Sequence, residues 1–197
     1  MEIPQGFLDT LASYGLKDNR VLQQLATIIR PLNLSAGEYL FKAGEPCRRI
    51  YFLVDGWVKY FHVDFSGKEY VRYFCHGGHF VTAYGSLISG QASLYTVQTI
   101  SAASLLYFEW EKWQALAMQY PECKAIQDQL LGEALIRSEE RERSLIIDDA
   151  TTRYLALLSE FPDIETNIRQ YDIAAWLGIT PIALSRLRGK KMPKTPN

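Results

Sequence analysis

Between Leu32 and Phe108 the chain is written in short β-rich runs separated by glycine turns, a texture that limits this half to an all-strand layer. In LSAGEYLFKAGEP two Ala-Gly-Glu turns are separated by only four residues, too few for a helix. RRIYFLVDGWVKYFHVD reads as two strands joined at Asp55-Gly56, the dipeptide of a tight hairpin. Phe65-Ser66-Gly67-Lys68 is a second turn, leading into the strand-like EYVRYF. Further strands are expected around 93–100 and 103–108. Strands this short and this evenly turned predict an antiparallel sandwich or barrel.

Helical texture flanks this region. Residues 4–30 carry Val21, Leu22, Leu25, Ile28 and Ile29 on one face, with Asp18 placed to cap and Pro31 to close. From Trp110 a short helix is expected, then a long one beginning after Pro121. Along the long helix Ile126, Leu130, Leu131, Ala134, Leu135 and Ile136 form a wide apolar stripe. Such a stripe must be covered, by the β-region or by a second copy of the chain. Beyond it Glu139-Glu140-Arg141-Glu142-Arg143 reads as a solvated polar face. TRYLALLSEF then predicts a helix with Tyr154, Leu155 and Leu158 on one side, ended by Pro162.

The last segment has the grammar of a helix-turn-helix. In YDIAAWLGITPIALSRLR, Ile173, Ala174 and Leu177 share a face, and Gly178 stands where a helix stops. Thr180 can cap a second helix that begins with Pro181, and Leu184 and Leu187 are its buried side. Arg169, Arg186, Arg188, Lys190, Lys191 and Lys194 face a single acid, Asp172, over residues 169–197, a local net charge of +5. On a chain of net charge −1 this is the footprint of a phosphate-binding end.

With 48% hydrophobic and 22% charged residues the chain is an ordinary globular protein, and no apolar run is long enough to span a bilayer. The N-terminal MEIPQGFLDTLASYG lacks the basic start and apolar core of a secretion signal, so a cytoplasmic location is expected. Cys47, Cys75 and Cys123 are odd in number and far apart, which fits neither a disulfide framework nor a paired zinc site.

The order of these parts resembles the CRP/FNR family of bacterial transcription regulators. GEYLFKAGEP, IYFLVDGWVK and Gly78-x-Phe80 carry the likeness in the first half, RYLALLSEFP and IAAWLGITPIALSRLR in the second. The resemblance implies an α+β fold. An N-terminal jelly-roll-like antiparallel β-roll with flanking helices fills residues 1–121. A long dimerisation helix spans 122–147, and a winged-helix-like helix-turn-helix occupies 148–197. It implies a homodimer that binds double-stranded DNA, with RNA polymerase as a further partner. Thr180 matches the family's phosphate contact and Arg186 its base-reading arginine. Ser185, Arg169, Arg188, Lys190 and Lys191 complete the expected surface. Pro181 and Ile182 replace an arginine and a glutamate used by well-known members, so a different operator is expected. Isoleucine touches a thymine methyl but accepts nothing from cytosine.

The family's cyclic AMP anchors, a glutamate and an arginine, fall on Ala83 and Ser93, and residues 73–111 contain no lysine or arginine. Around the pocket that the resemblance implies, Tyr73, Phe74, Phe80, Tyr84, Leu94 and Tyr95 remain. The expected effector is therefore small and uncharged, or none, and no cofactor is expected. No cysteine precedes Cys47, which argues against the family's iron–sulfur sensors. Cys75, His76 and His79 in CHGGH are candidate haem or metal ligands, but they read better as a surface turn and do not match the family's haem motif. The alternative functions are a small-molecule sensor or binding module without DNA activity, and a metal-dependent enzyme on a similar roll. With three histidines and no His-x-His, the enzyme is not expected.

Overall fold

The computed structural model describes residues 3–189. The N-terminal helical region is two helices, α1 (Gln5–Ser13) and α2 (Asn19–Ile28), separated by a turn. Asp18 caps α2 by accepting from the Arg20 amide at 2.8 Å. Pro31 does more than close that helix, because it already lies in the first strand, β1 (Arg30–Leu34).

Two four-stranded antiparallel sheets form the roll. One runs in the order β1, β8 (Ala103–Glu109), β3 (Arg49–Asp55), β6 (His79–Val81). The other runs β2 (Tyr39–Phe41), β7 (Thr96–Thr99), β4 (Trp57–Val63), β5 (Glu69–His76). The apolar run of β3 is buried from Ile50 to Leu53 because both its faces are covered. Phe52 meets Phe7 of α1 edge-to-face at 4.8 Å, while its neighbours point toward the roll interior.

The expected hairpin at Asp55-Gly56 is corrected by this topology. β3 and β4 belong to different sheets and do not pair. Gly56 instead turns the chain from one sheet to the other, at φ +99°. A Cβ there would stand 2.5 Å from the Ala102 carbonyl oxygen, so two constraints demand glycine. The true hairpin is β4–β5, closed by the turn at residues 65–68, with Tyr60 opposite Tyr73. Strand β6 and the short helix α3 (Tyr84–Ser89) are too short for any apolar periodicity to mark them in the sequence.

Helix α4 (Trp110–Gln119) leads into α5 (Pro121–Ile147), whose 27 residues span about 40 Å. The apolar stripe of α5 is divided. Cys123, Ile126 and Leu130 are buried against the chain's own roll, whereas Leu131, Leu135 and Ile136 are exposed. Ile126 and Leu130 are therefore not free to meet a second copy.

Helices α6 (Ala150–Glu160), α7 (Ile164–Asn167), α8 (Gln170–Leu177) and α9 (Pro181–Gly189) complete the described chain. In α6 the buried residues are Tyr154 and Leu157, while Leu155 is exposed, because α6 turns a narrower face inward than its sequence offers. No strand occurs among the described residues of this region, so it contains no wing there. The four helices share one core with Phe61, Val71 and Phe74 on the outer face of β4 and β5.

Candidate DNA-reading surface and effector cavity

Helix α8 ends at Gly178, which takes the left-handed conformation at φ +73°. The Ile179 amide then returns to the Ala174 carbonyl at 3.1 Å. Thr180 accepts the Ala183 amide on its hydroxyl at 3.1 Å, capping α9, and Pro181 fills the first helical position. Leu184 is fully buried in the core below. This anchors α9 by one side and leaves Thr180, Pro181, Ile182, Ser185 and Arg186 exposed on the other. Their spacing places Ile182, Ser185 and Arg186 on one helical face.

Two expected DNA contacts are engaged inside the chain. Arg188 pairs with Glu165 at 2.7 Å and donates to the Tyr154 hydroxyl at 3.1 Å. Arg169 donates to Asp172 at 3.1 Å, although most of its side chain is exposed. Lys190 and Lys191 lie outside the described residues. Asp172, the single acid of the basic end, is itself fully buried. Its carboxylate accepts from Lys59 of β4 at 2.7 Å, and Lys59, also buried, bonds Glu69 as well. The Lys59 ammonium lies 4.7 Å from the centre of the Phe61 ring.

Arg141 of α5 is a second buried link between the roll and the C-terminal helices. It donates to the carbonyls of Val71 in β5 and Trp176 in α8, and lies over the Trp176 ring at 4.1 Å. Burial pushes its pKa down to about 10, so it keeps its charge at neutral pH. Neither link was visible in the sequence. The one available signal was Lys59 itself, a cation within an otherwise apolar strand run.

Beneath α5 lies a cavity of about 350 Å³. Tyr73, Phe80, Tyr84, Leu94 and Tyr95 line it as expected, joined by Tyr14, Tyr60 and the α5 residues Leu130, Leu131, Ala134 and Leu135. Ala83 and Ser93 do not line it. Ala83 is buried before α3, and the Ser93 hydroxyl is spent on the Tyr95 carbonyl at 2.8 Å. Phe74 points the other way, into the core shared with the reader. Burial raises the pKa of Tyr84 and pushes that of Tyr95 up to about 12.

The cavity is not charge-free. Arg72 of β5 and Arg137 of α5 both line it, with Glu133 beside them. Arg72 lies just before the cation-free stretch 73–111, and Arg137 comes from α5.

His76 and His79 come together, with ring centres 4.9 Å apart, but Cys75 does not join them. Strand alternation turns Cys75 into the roll, where burial pushes its thiol up to about 12. His76 points outward against Trp57 and Phe161, at 5.3 and 5.7 Å between ring centres. Burial, and His79 beside it, lower the His76 pKa.

Residues 31–120 match the family model of the cyclic nucleotide-binding domain. Beyond the roll, the chain is 25% identical over 182 residues to the anaerobic regulatory protein of Haemophilus influenzae, covering 86% of this chain and 70% of that protein. The chain is thus similar to cyclic nucleotide-binding domains over its first half, and to a regulatory protein over most of its length. Solved structures share its fold. FixK2 of Bradyrhizobium japonicum superposes with a TM-score of 0.74 at 18% identity, covering 83% of this chain and 84% of that one. The c-di-GMP-responsive global regulator CLP of Xanthomonas campestris superposes at 0.70 and 18% identity, covering 88% and 91%. The residues present do not fit the anchoring of a cyclic nucleotide that the family's domain implies. Of the two positions that the resemblance assigns to the anchors, neither Ala83 nor Ser93 lines the cavity. Among the described residues no helix is long and apolar enough to cross a membrane.

Proposed function

We propose that this chain is a CRP/FNR-type transcription regulator that acts as a cytoplasmic homodimer, reading double-stranded DNA through α9 without control by cyclic AMP. Residues 1–121 serve as the sensor, 122–147 as the dimer helix and 148–197 as the reader. The observation that carries the proposal is the two-sidedness of α9. Leu184 is fixed in the core while Ile182, Ser185 and Arg186 stand free at the spacing of a groove-facing surface. Thr180 supplies a phosphate contact beside the helix N-terminus. Arg186 offers the planar fork that pairs with guanine O6 and N7.

The exposed residues of α5 support the dimer. Leu131, Leu135, Ser138, Glu142 and Leu145 follow the alternating four-three spacing of a coiled-coil seam. Leu135 and Leu145 are half or more exposed in the single chain. Contact with RNA polymerase belongs to the same proposal.

Fluorescence anisotropy with a duplex enriched from a random pool tests the reading. Arg186→Ala is expected to weaken binding to that duplex by about 1–3 kcal/mol while leaving binding to unrelated DNA nearly unchanged. Equal loss on both duplexes would make Arg186 a phosphate contact. No binding by the unaltered chain would leave only a sensor module.

A further inference from the structure

We infer that the cavity beneath α5 selects a small organic monoanion, an aromatic carboxylate, gripped between Arg72 and Arg137. The inference rests on the reading of the roll as a sensor but not on what α9 binds. Three observations point to this ligand class.

The first is charge. Arg72 reaches the cavity from β5 and Arg137 from α5, so two guanidiniums approach from different elements. Neither forms an ion pair among the described residues. Arg72 donates to the Ser138 hydroxyl at 2.7 Å, a neutral partner. Glu133, the acid lining the same cavity, accepts the Tyr14 hydroxyl at 2.8 Å. Two cations and one anion leave the lining with a formal charge of +1. A monoanion balances it, whereas a dianion overcharges it.

The second is the chemistry of the walls. The Tyr73 hydroxyl donates to the Arg137 carbonyl at 3.0 Å, and the Tyr95 hydroxyl to the Thr82 carbonyl at 3.4 Å. These tyrosines therefore present rings rather than free hydroxyls to a ligand. Phe80, Leu94, Leu130 and Ala134 continue the apolar lining. The Tyr84 hydroxyl is buried without a partner, so a ligand oxygen finds a donor here beside the guanidiniums; the several hydroxyls of a sugar would outnumber it, each at a cost, whereas an aromatic carboxylate matches the surface.

The third is size and placement. A cavity of about 350 Å³ lies at the small end of the range for ligand sites. The Arg72 guanidinium lies over the rings of Tyr73 and Tyr95, at 5.2 and 5.4 Å from their centres. Those stacks hold the planar fork at the wall, where it can meet a carboxylate. Arg137 brings the second fork from the helix that runs on toward the reader. A bound carboxylate would thus touch both the roll and α5.

The test is calorimetric titration of the full chain without DNA. The probe is 1-naphthoate, its neutral counterpart is 1-naphthalenemethanol, and cyclic AMP is the comparison. Naphthoate is expected to bind at least about ten-fold more tightly than the alcohol, and more tightly than cyclic AMP. Arg137→Gln changes an exposed side chain and is expected to reduce that preference about ten-fold, the effect of losing one charge-assisted hydrogen bond. Arg72→Gln is the second variant and is expected to do the same. Equal affinity for acid and alcohol, a preference that survives in both variants, or tighter binding of cyclic AMP would each overturn the inference. Anisotropy of the Arg137→Gln variant on DNA is measured in parallel. Intact DNA binding with lost ligand preference supports the inference, and failed DNA binding by the unaltered chain leaves its calorimetric result standing.

Discussion

Gly56 and Asp172 show how far a single residue's role depends on what the fold brings beside it. Asp55-Gly56 signals a tight turn, and the turn is there. Its purpose was not legible, because a change of sheet is decided by the Ala102 and Ala103 backbone lying against it, far along the chain. Replacing Gly56 with Ala forces both a positive φ and an overlap with a carbonyl oxygen. It is expected to lower unfolding free energy by about 3 kcal/mol, read from the shift of a urea midpoint at constant slope. An unchanged midpoint would mean that this corner relaxes freely. Asp172 likewise counted as a lone acid in a basic tail. Its burial against Lys59 removes it from the surface, while Arg188, paired with Glu165, is partly withdrawn in turn.

At the scale of elements, Lys59 and Asp172 couple β4 to α8 through a buried ion pair. Buried charges cost desolvation, so the pair is strongly destabilising to break and weakly stabilising to keep. Lys59→Met alone leaves the Asp172 carboxylate buried with Arg169 as its remaining partner, and is expected to cost about 3–5 kcal/mol. Lys59→Met with Asp172→Leu is expected to recover most of that loss, because an apolar pair fits among Phe61, Ile173 and Leu177. Thermal melts of the two single variants and the double variant complete the cycle. Additive losses would show that the two side chains act independently.

Elements whose signals are local were legible in the sequence: the capped start of α2, the Gly178 stop, the Thr180-Pro181 restart and the proline that opens α5. Elements specified by distant partners were not. The stripe of α5 could have faced the roll or a second copy, and it does both along different lines of the helix. Helix α3 and strand β6 have too few residues for any periodicity to show. The cavity residues were read from one stretch of chain, so its aromatic walls were found while Arg137, contributed by another element, was missed.

On the scale of the whole molecule, the proposal is of a two-headed reader. The described α5 exposes Leu135, Ile136, Leu145 and Ile146 on the helix preceding the reader. Pairing there would join two copies whose α9 helices meet successive major grooves of one duplex face. The measurement that tests this most directly is selection of duplexes from a random pool by the full chain. The account predicts a two-fold symmetric site with half-site centres about 10 base pairs apart, lost with Arg186→Ala. At the base pair facing Ile182 it predicts thymine, and hence a site unlike the catabolite activator's operator. Enrichment of a single asymmetric site, of the activator's own operator, or of no sequence at all would contradict it.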